Sequence, residues 1–394
     1  MAETREAWIT GIGIVSCLGE GPEAHWQGLT DGKENADATT FAPYVVHRVV
    51  ALDLDKQIPK KGDQRQMEQW QRIGTYAAGL ALDSAGVKGD NELLSRMDMI
   101  VAAGGGERDL NVDVAILSGM PGAKDAAAFL NQHLVNYLRP TLFLAQLSNL
   151  MAGNISIVHN VTGSSRTFMG EESAGVDAVR VSLARIAAGQ SDIALVGGAY
   201  NAERLDILLH YLVDGCLWQD EPAGVWERAA KGGGMALGSM GAFLVLEEKG
   251  HAEKRGAKPF ARIASIMSDR TSRKDGDIGS ALARMWAMLP DAPQRAVISG
   301  ASGLEPATSE ERAFLTSQPG LAVRATGTHV GHGLEPQFVL NIALAAIALQ
   351  KGRLFPPADR SGVETEFSGL LTQVAVTSVG HWRGEGLALV EAVG

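Results

Sequence analysis

The chain has 394 residues, enough for two or three ordinary domains or one large duplicated α/β unit. A net charge of −10 argues against general nucleic-acid binding, and no run approaches the ~18 consecutive apolar residues of a membrane span. Two distant cysteines, Cys17 and Cys216, offer neither a disulfide framework nor metal-ligand spacing.

The opening residues, MAETREAWITGIG, lack a basic segment followed by a long apolar one, so no secretory signal is expected and the cytoplasm is the default location. Residues 8–17, WITGIGIVSC, read as a strand and a glycine turn. Gly11 and Gly13 lack the third glycine and the later acidic residue of a dinucleotide loop, so no nucleotide cofactor is expected. Residues 32–65 are polar and irregular, a surface excursion. Residues 72–85 have helical periodicity, and residues 97–103 form a strand running into Gly104, Gly105 and Gly106. Residues 126–151 read as mostly helical, interrupted at Pro140.

The stretch 164–198, SSRTFMGEESAGVDAVRVSLARIAAGQSDIALVGG, organises the rest. It reads as strand, sharp turn, buried helix, strand. The helix opens at Glu172, Ser173 and Ala174, with apolar positions Val176, Val179, Leu183, Ile186 and Ala187 spaced three or four apart, and Gly189 is its stop. A side chain at such a helix start faces unpaired backbone N–H groups and the positive end of the dipole, which suits a nucleophile or an anion. Two acids stand there, Glu171 and Glu172. Beyond it, residues 235–248 end in GAFLVLEE, residues 249–258 are a charged helix and turn, and residues 260–266 start a new strand. Residues 99–104 and 296–301 are faintly similar to each other. Residues 339–349 are apolar on nearly every face of a helix, which predicts burial.

Taken together, WITGIGIVSCLG, GQSDIALVGG and GAFLVLEE resemble the β-ketoacyl-acyl carrier protein synthases, the condensing enzymes of fatty-acid and polyketide synthesis in the thiolase superfamily. The resemblance spans nearly the whole chain. It implies an α/β fold of five layers, αβαβα, from two duplicated halves, 1–256 and 257–394. It also implies a Cys-His-His active centre, which this chain has largely lost. The family's turn, Ala-Cys-Ala-Ser/Thr-Gly, places its nucleophilic cysteine on Glu172 when counted back from Gly175. The first histidine, in A-H-G-T-G-T, falls on Gly300, with Thr308 at the family's aspartate and Glu311 at its glutamate. The second histidine is kept as His332 in Gly331-His332-Gly333-Leu334, while the family's lysine is Gly327 and its small run is Glu335-Pro336-Gln337-Phe338.

What the resemblance implies for the remaining positions follows the same frame. Ser302 keeps a hydroxyl that would touch a pantetheine arm, so it is a substrate-binding candidate. Phe338, His381 and Trp382 replace small residues and phenylalanine in the family's motifs and are expected to narrow or block the acyl tunnel. The family dimerises through the strand before the nucleophile turn, here Arg166, Thr167, Phe168 and Met169. No cofactor and no metal are expected: His329 and His332 are three apart, but no third ligand stands at suggestive spacing. Plain structural readings stand beside these. Glu172 is then a buried acid settled on a helix start, and His332 an inherited core histidine satisfied by backbone carbonyls.

Two functions remain open. One is the non-catalytic, chain-length-factor-like partner of an active ketosynthase, working with an acyl carrier protein and forming a homodimer when alone. The other is a divergent acyltransferase or malonyl-thioester decarboxylase using His332 and Glu172.

Overall fold

The computed structural model describes residues 5–138, 146–292 and 295–393. Two sets of five strands carry the fold. The first holds β1 (Ala7–Ser16), β2 (Asp98–Ala102), β3 (Ser165–Phe168), β4 (Ile193–Tyr200) and β5 (Met240–Glu248), in the spatial order β3-β2-β4-β5-β1. The second holds β6 (Ala261–Asp269), β7 (Arg295–Ser299), β8 (Ala322–Ala325), β9 (Gln373–Val379) and β10 (Glu385–Glu391), in the order β8-β7-β9-β10-β6. The sets match strand for strand. In each, the second strand is parallel to the third and fourth, and the fifth is antiparallel to the fourth and first. The two segments that looked faintly alike, 99–104 and 296–301, cover the second strand of each set and the turn after it. The two sets are hydrogen-bonded to each other at one corner, where Ala7, Trp8 and Ile9 pair with Ile263, Arg262 and Ala261.

Alternation along the strands builds the layers. On β5, Ala242, Leu244 and Leu246 face a central core, while Phe243 and Val245 face an outer one. On β9, Val374 and Val376 face the same central core, and Ala375 and Val379 face the opposite outer one. The helix α1 (Gln69–Ala85) packs on the first outer face. Helices α2 (Glu172–Ala187) and α5 (Gln337–Gln350) fill the centre. Helices α3 (Asp277–Trp286) and α4 (Ala307–Thr316) cover the second outer face. This is the expected αβαβα stack.

Local chemistry explains the helix limits. A capping box closes the start of α1, with Glu68 N–H donating to the Gln71 side chain at 3.0 Å, and Gly86 at φ 67° stops it. Gly11 and Gly13 of β1 serve that packing: a Cβ on them would stand 2.4 and 2.0 Å from the carbonyls of Ala81 and Ala77. The glycine pair is therefore a close strand–helix approach. Every residue of α5 from Gln337 to Leu349 is buried, and its polar pair is satisfied: Thr326 Oγ1 donates to Asn341 Oδ1 at 2.6 Å, and Gln337 Nε2 to Thr326 Oγ1 at 3.1 Å. The segment 126–151, expected to be mostly helical, holds among its described residues the helix Ala126–Tyr137 and the first two residues of the helix Leu150–His159, and Pro140 lies outside the described residues. No helix of the described chain is long and apolar enough to cross a membrane.

Candidate functional site

The site forms where the start of α2 meets two loops from the second half. Glu171 takes φ 55° and ψ −134°, a conformation costly for a side chain with a Cβ. That turn reverses the chain between β3 and α2 and points Glu172 inward, where it is 2% exposed. Gly175, one turn on, lets α2 approach the loop before α5, since a Cβ there would lie 2.4 Å from the Glu335 carbonyl.

Two histidines close on the Glu172 carboxylate. His332 meets Oε1 through Nε2 at 2.8 Å. His381 meets it twice, through Nδ1 at 2.9 Å and through its backbone N–H at 3.2 Å. Its Nδ1 also lies 3.2 Å from Oε2. The turn carrying His381 is fixed by Gly380 N–H donating to the Gly384 carbonyl at 2.8 Å and by Arg273 Nη2 donating to the Gly380 carbonyl at 2.6 Å. Tyr211 stands edge-on to the His381 ring, centroids 5.6 Å apart.

The electrostatics follow from burial and pairing. Burial alone would push the Glu172 carboxyl up. The hydrogen bonds from His332 and His381, with the charge of His381, outweigh it and hold the carboxyl well below its usual range. Burial pulls His381 down, and its hydrogen bond to Glu172 and the nearby negative charge outweigh that, so its net shift is upward. The arrangement is a carboxylate clamped by two imidazole rings and a backbone N–H.

The remaining candidates divide. Gly300 sits just past β7, and the atom nearest to a Cβ on it is the Thr377 carbonyl oxygen, at 2.8 Å. Its N–H donates to that same carbonyl at 3.0 Å. An imidazole at 300 would need the backbone of β9 to move. The Ser302 hydroxyl accepts from Leu304 N–H at 3.2 Å, which makes it a turn-forming group. Phe338 is a buried member of the central core at the start of α5. Trp382 departs from expectation: it is 69% exposed, so it fills no tunnel inside this chain. His332 departs from the plain reading too. Its ring meets a carboxylate instead of a backbone carbonyl, and its Nδ1 is buried without a partner. His329 turns away, its Nδ1 3.1 Å from the Lys33 carbonyl. On β3, the edge strand of its set, Ser165 and Arg166 are exposed, Thr167 and Phe168 are half-buried, and Met169 just beyond is 65% exposed.

Sequence reasoning missed the role of His381, which it treated as a space-filler. It also missed the acid Glu335, buried 163 positions along from Glu172; the signal there was an ionisable residue replacing a run of small ones.

Comparison with known proteins bears on this geometry. The model of the β-ketoacyl synthase N-terminal domain matches residues 4–252. The 3-oxoacyl-[acyl-carrier-protein] synthase 2 of Vibrio harveyi is 28% identical over 300 residues, covering 72% of this chain and 69% of that protein. The tetracenomycin polyketide synthase ketoacyl synthase beta subunit of Streptomyces glaucescens is 24% identical over 383 residues, covering 92% and 90%. Among solved structures, the ishigamide ketosynthase/chain length factor superposes with a TM-score of 0.81 at 20% identity, over all of both chains. A structure of a type II polyketide synthase acyl-carrier protein in complex with its ketosynthase gives 0.76 at 16% identity, over 99% of this chain and all of that one. At those identities the structural likeness is one of fold.

Proposed function

We propose, for a chain that belongs to the β-ketoacyl synthase family, that it is the non-condensing partner of an active ketosynthase in polyketide or fatty-acid synthesis, working with an acyl carrier protein. The observation that carries this reading is the clamped carboxylate. Condensation needs a thiolate to carry the acyl chain, and imidazole N–H groups to stabilise the enolate formed on decarboxylation. In the family's frame the nucleophile position is Glu172, whose Oε1 takes donors from His332 and His381. The one family histidine kept by the sequence is thus occupied by the side chain that replaces the nucleophile.

The same geometry weighs against a decarboxylase or acyltransferase built on Glu172 and His332. A carboxylate held well below its usual range is a weak general base, and both of its oxygens are engaged. The partner role is supported by the short, one-sided edge of β3 and by the relatives named above. On this reading the chain pairs with an intact ketosynthase in its host and with itself when alone.

The test is direct. The purified chain is incubated with acyl-loaded and malonyl-loaded carrier protein and weighed intact, and its native-host extract is examined for a co-purifying ketosynthase. We expect no acyl adduct and a stoichiometric partner. An acyl adduct on this chain, or purification free of any ketosynthase, overturns the reading.

A further inference from the structure

The His381 turn, residues 380–384, joins β9 to β10. Its own closing bond, Gly380 N–H to the Gly384 carbonyl at 2.8 Å, fixes the shape of the turn but not its place. On one side the turn rests on α2, where a Cβ on Gly384 would lie 2.8 Å from Ser173 Cβ. On another it meets a strap, residues 270–276, that runs from β6 to α3. One side chain of the strap, Arg273, reaches both ends of the turn. Its Nη2 donates to the Gly380 carbonyl at 2.6 Å, just before His381. Its Nη1 donates to Glu385 Oε1 at 2.5 Å, just past Gly384.

The far end of this fork is firmly seated. Glu385 is buried, and Thr271 holds both of its oxygens: the Thr271 N–H donates to Oε2 at 3.0 Å and the hydroxyl to Oε1 at 3.0 Å. A guanidinium is planar, with its donors at fixed angles. An arginine gripped at Glu385 therefore has the place of its other arm set, and with it the place of the Gly380 carbonyl. The Nε of Arg273 is buried without a partner, so its two Nη arms carry the contact. His381 follows Gly380 directly and meets Glu172 Oε1 through both its backbone N–H and its Nδ1.

We propose that Arg273 is a positioning residue: its fork holds the 380–384 turn where the His381 ring meets Glu172, so the strap keeps the clamp shut. This staple lies within one chain and needs no partner subunit, so it and the partner role can fail separately.

Charge and position act with opposite signs. As a nearby cation, Arg273 opposes protonation of His381, while the bond to Glu172 and the charges of Glu172 and Glu171 favour it. The other groups around the ring are Glu335 before α5, His332 on the same carboxylate and the Tyr211 ring, and a change at position 273 leaves all three in place. Removing a cation alone raises the His381 midpoint. Removing a staple lets the ring leave Glu172 and lowers the midpoint toward the ordinary ~6.5.

The test is an NMR titration of the full chain, isotope-labelled at its histidines, with His381 identified by the signal missing from His381→Asn. In Arg273→Met the His381 midpoint should fall, and the downfield ring N–H signal of the bond to Glu172 should be lost. That variant strands the buried Glu385 carboxylate. Should it fail to fold, Arg273→Met combined with Glu385→Gln, which alters no net charge and strands none, carries the comparison, with the same fall expected. A midpoint that rises or stays, or a ring N–H signal that persists, in a folded variant overturns the proposal.

Discussion

Glu172 is the residue on which site and stability meet. Its place was legible in the sequence, because Gly175 and the helix periodicity after it fix the start of α2. Its partner was not. His381 lies 209 positions away, in a motif whose family frame suggested only bulk, and no local pattern announces that a backbone turn will aim its ring at a carboxylate. The pairing gives a pH dependence with a definite sign. Glu172, held low in the folded chain, adds stability above its ordinary ~4.3 that is lost as the pH falls. His381, held high, adds stability that is full below its ordinary ~6.5 and is lost as the pH rises through its folded value. Stability from the pair is therefore largest between those two ordinary values. Glu172→Gln should cost about 2 kcal/mol there, having left two buried donors facing a neutral amide. It should also flatten the acid limb, as measured by urea denaturation from pH 3 to 8; an unchanged acid limb would show that the clamp contributes nothing. The resemblance puts Gly300 at the family's first histidine, but the consequence for packing is visible only in the structure. Gly300→His must displace the Thr377 carbonyl and should cost about 1–3 kcal/mol as overpacking. For the same reason Glu172→Cys alone should not restore condensation in a carrier-protein assay, since no second imidazole stands at that position.

The elements were the most readable scale. Gly189, placed as the stop of α2, takes φ 68° and follows Ala187 closely. The helix from Gln337 is buried along its length, as an all-apolar pattern requires. What the pattern could not show was which strands end a sheet, because pairing is a matter of distant contacts. β3 turns out to be an edge, and its residues do not all face the same way. Phe168 packs partly on the chain's own central core, so Phe168→Asp would damage folding along with any dimer. Met169, exposed just past the strand, is the cleaner probe. Helix Leu205–Val213 offers a second. Leu205, Leu209 and Val213, four residues apart, are exposed on one stripe, while Leu208 and Tyr211 are buried on the other. An apolar stripe left in water on an otherwise well-packed helix calls for a partner. Met169→Asp and Leu209→Glu should each leave the melting temperature of the isolated chain within a few degrees of wild type, yet weaken self-association about tenfold or more by sedimentation. Full dimer strength in both variants would take the partner surface elsewhere.

At the scale of the whole molecule, the two strand sets repeat one topology although almost no sequence repetition survives. Topology needs only alternation of apolar residues and short turns, and β5 and β9 satisfy that with different residues. Chemistry needs particular side chains at particular points, and on the proposed reading those have diverged. That reading makes the chain a scaffold with its layers intact and its reacting centre closed, a protein that works through shape and contact. Met288, Leu370 and Trp382 are exposed in the second half, but most of the exposed large apolar residues among the described ones, Val114, Leu117, Met169, Leu205, Leu209 and Val213 included, belong to the first half. A heterodimer with an intact ketosynthase would cover that half and leave one working centre per pair. A single wild-type chain should therefore sediment as a homodimer at micromolar concentration, because an edge strand and an apolar stripe seek any mate. On adding the host ketosynthase, subunit exchange should convert it to a heterodimer, with condensation measured only in the mixture and reduced by Leu209→Glu in this chain. A wild-type chain that stays monomeric and leaves the ketosynthase's sedimentation and activity unchanged would remove the partner role, and the exposed stripe would then need another explanation.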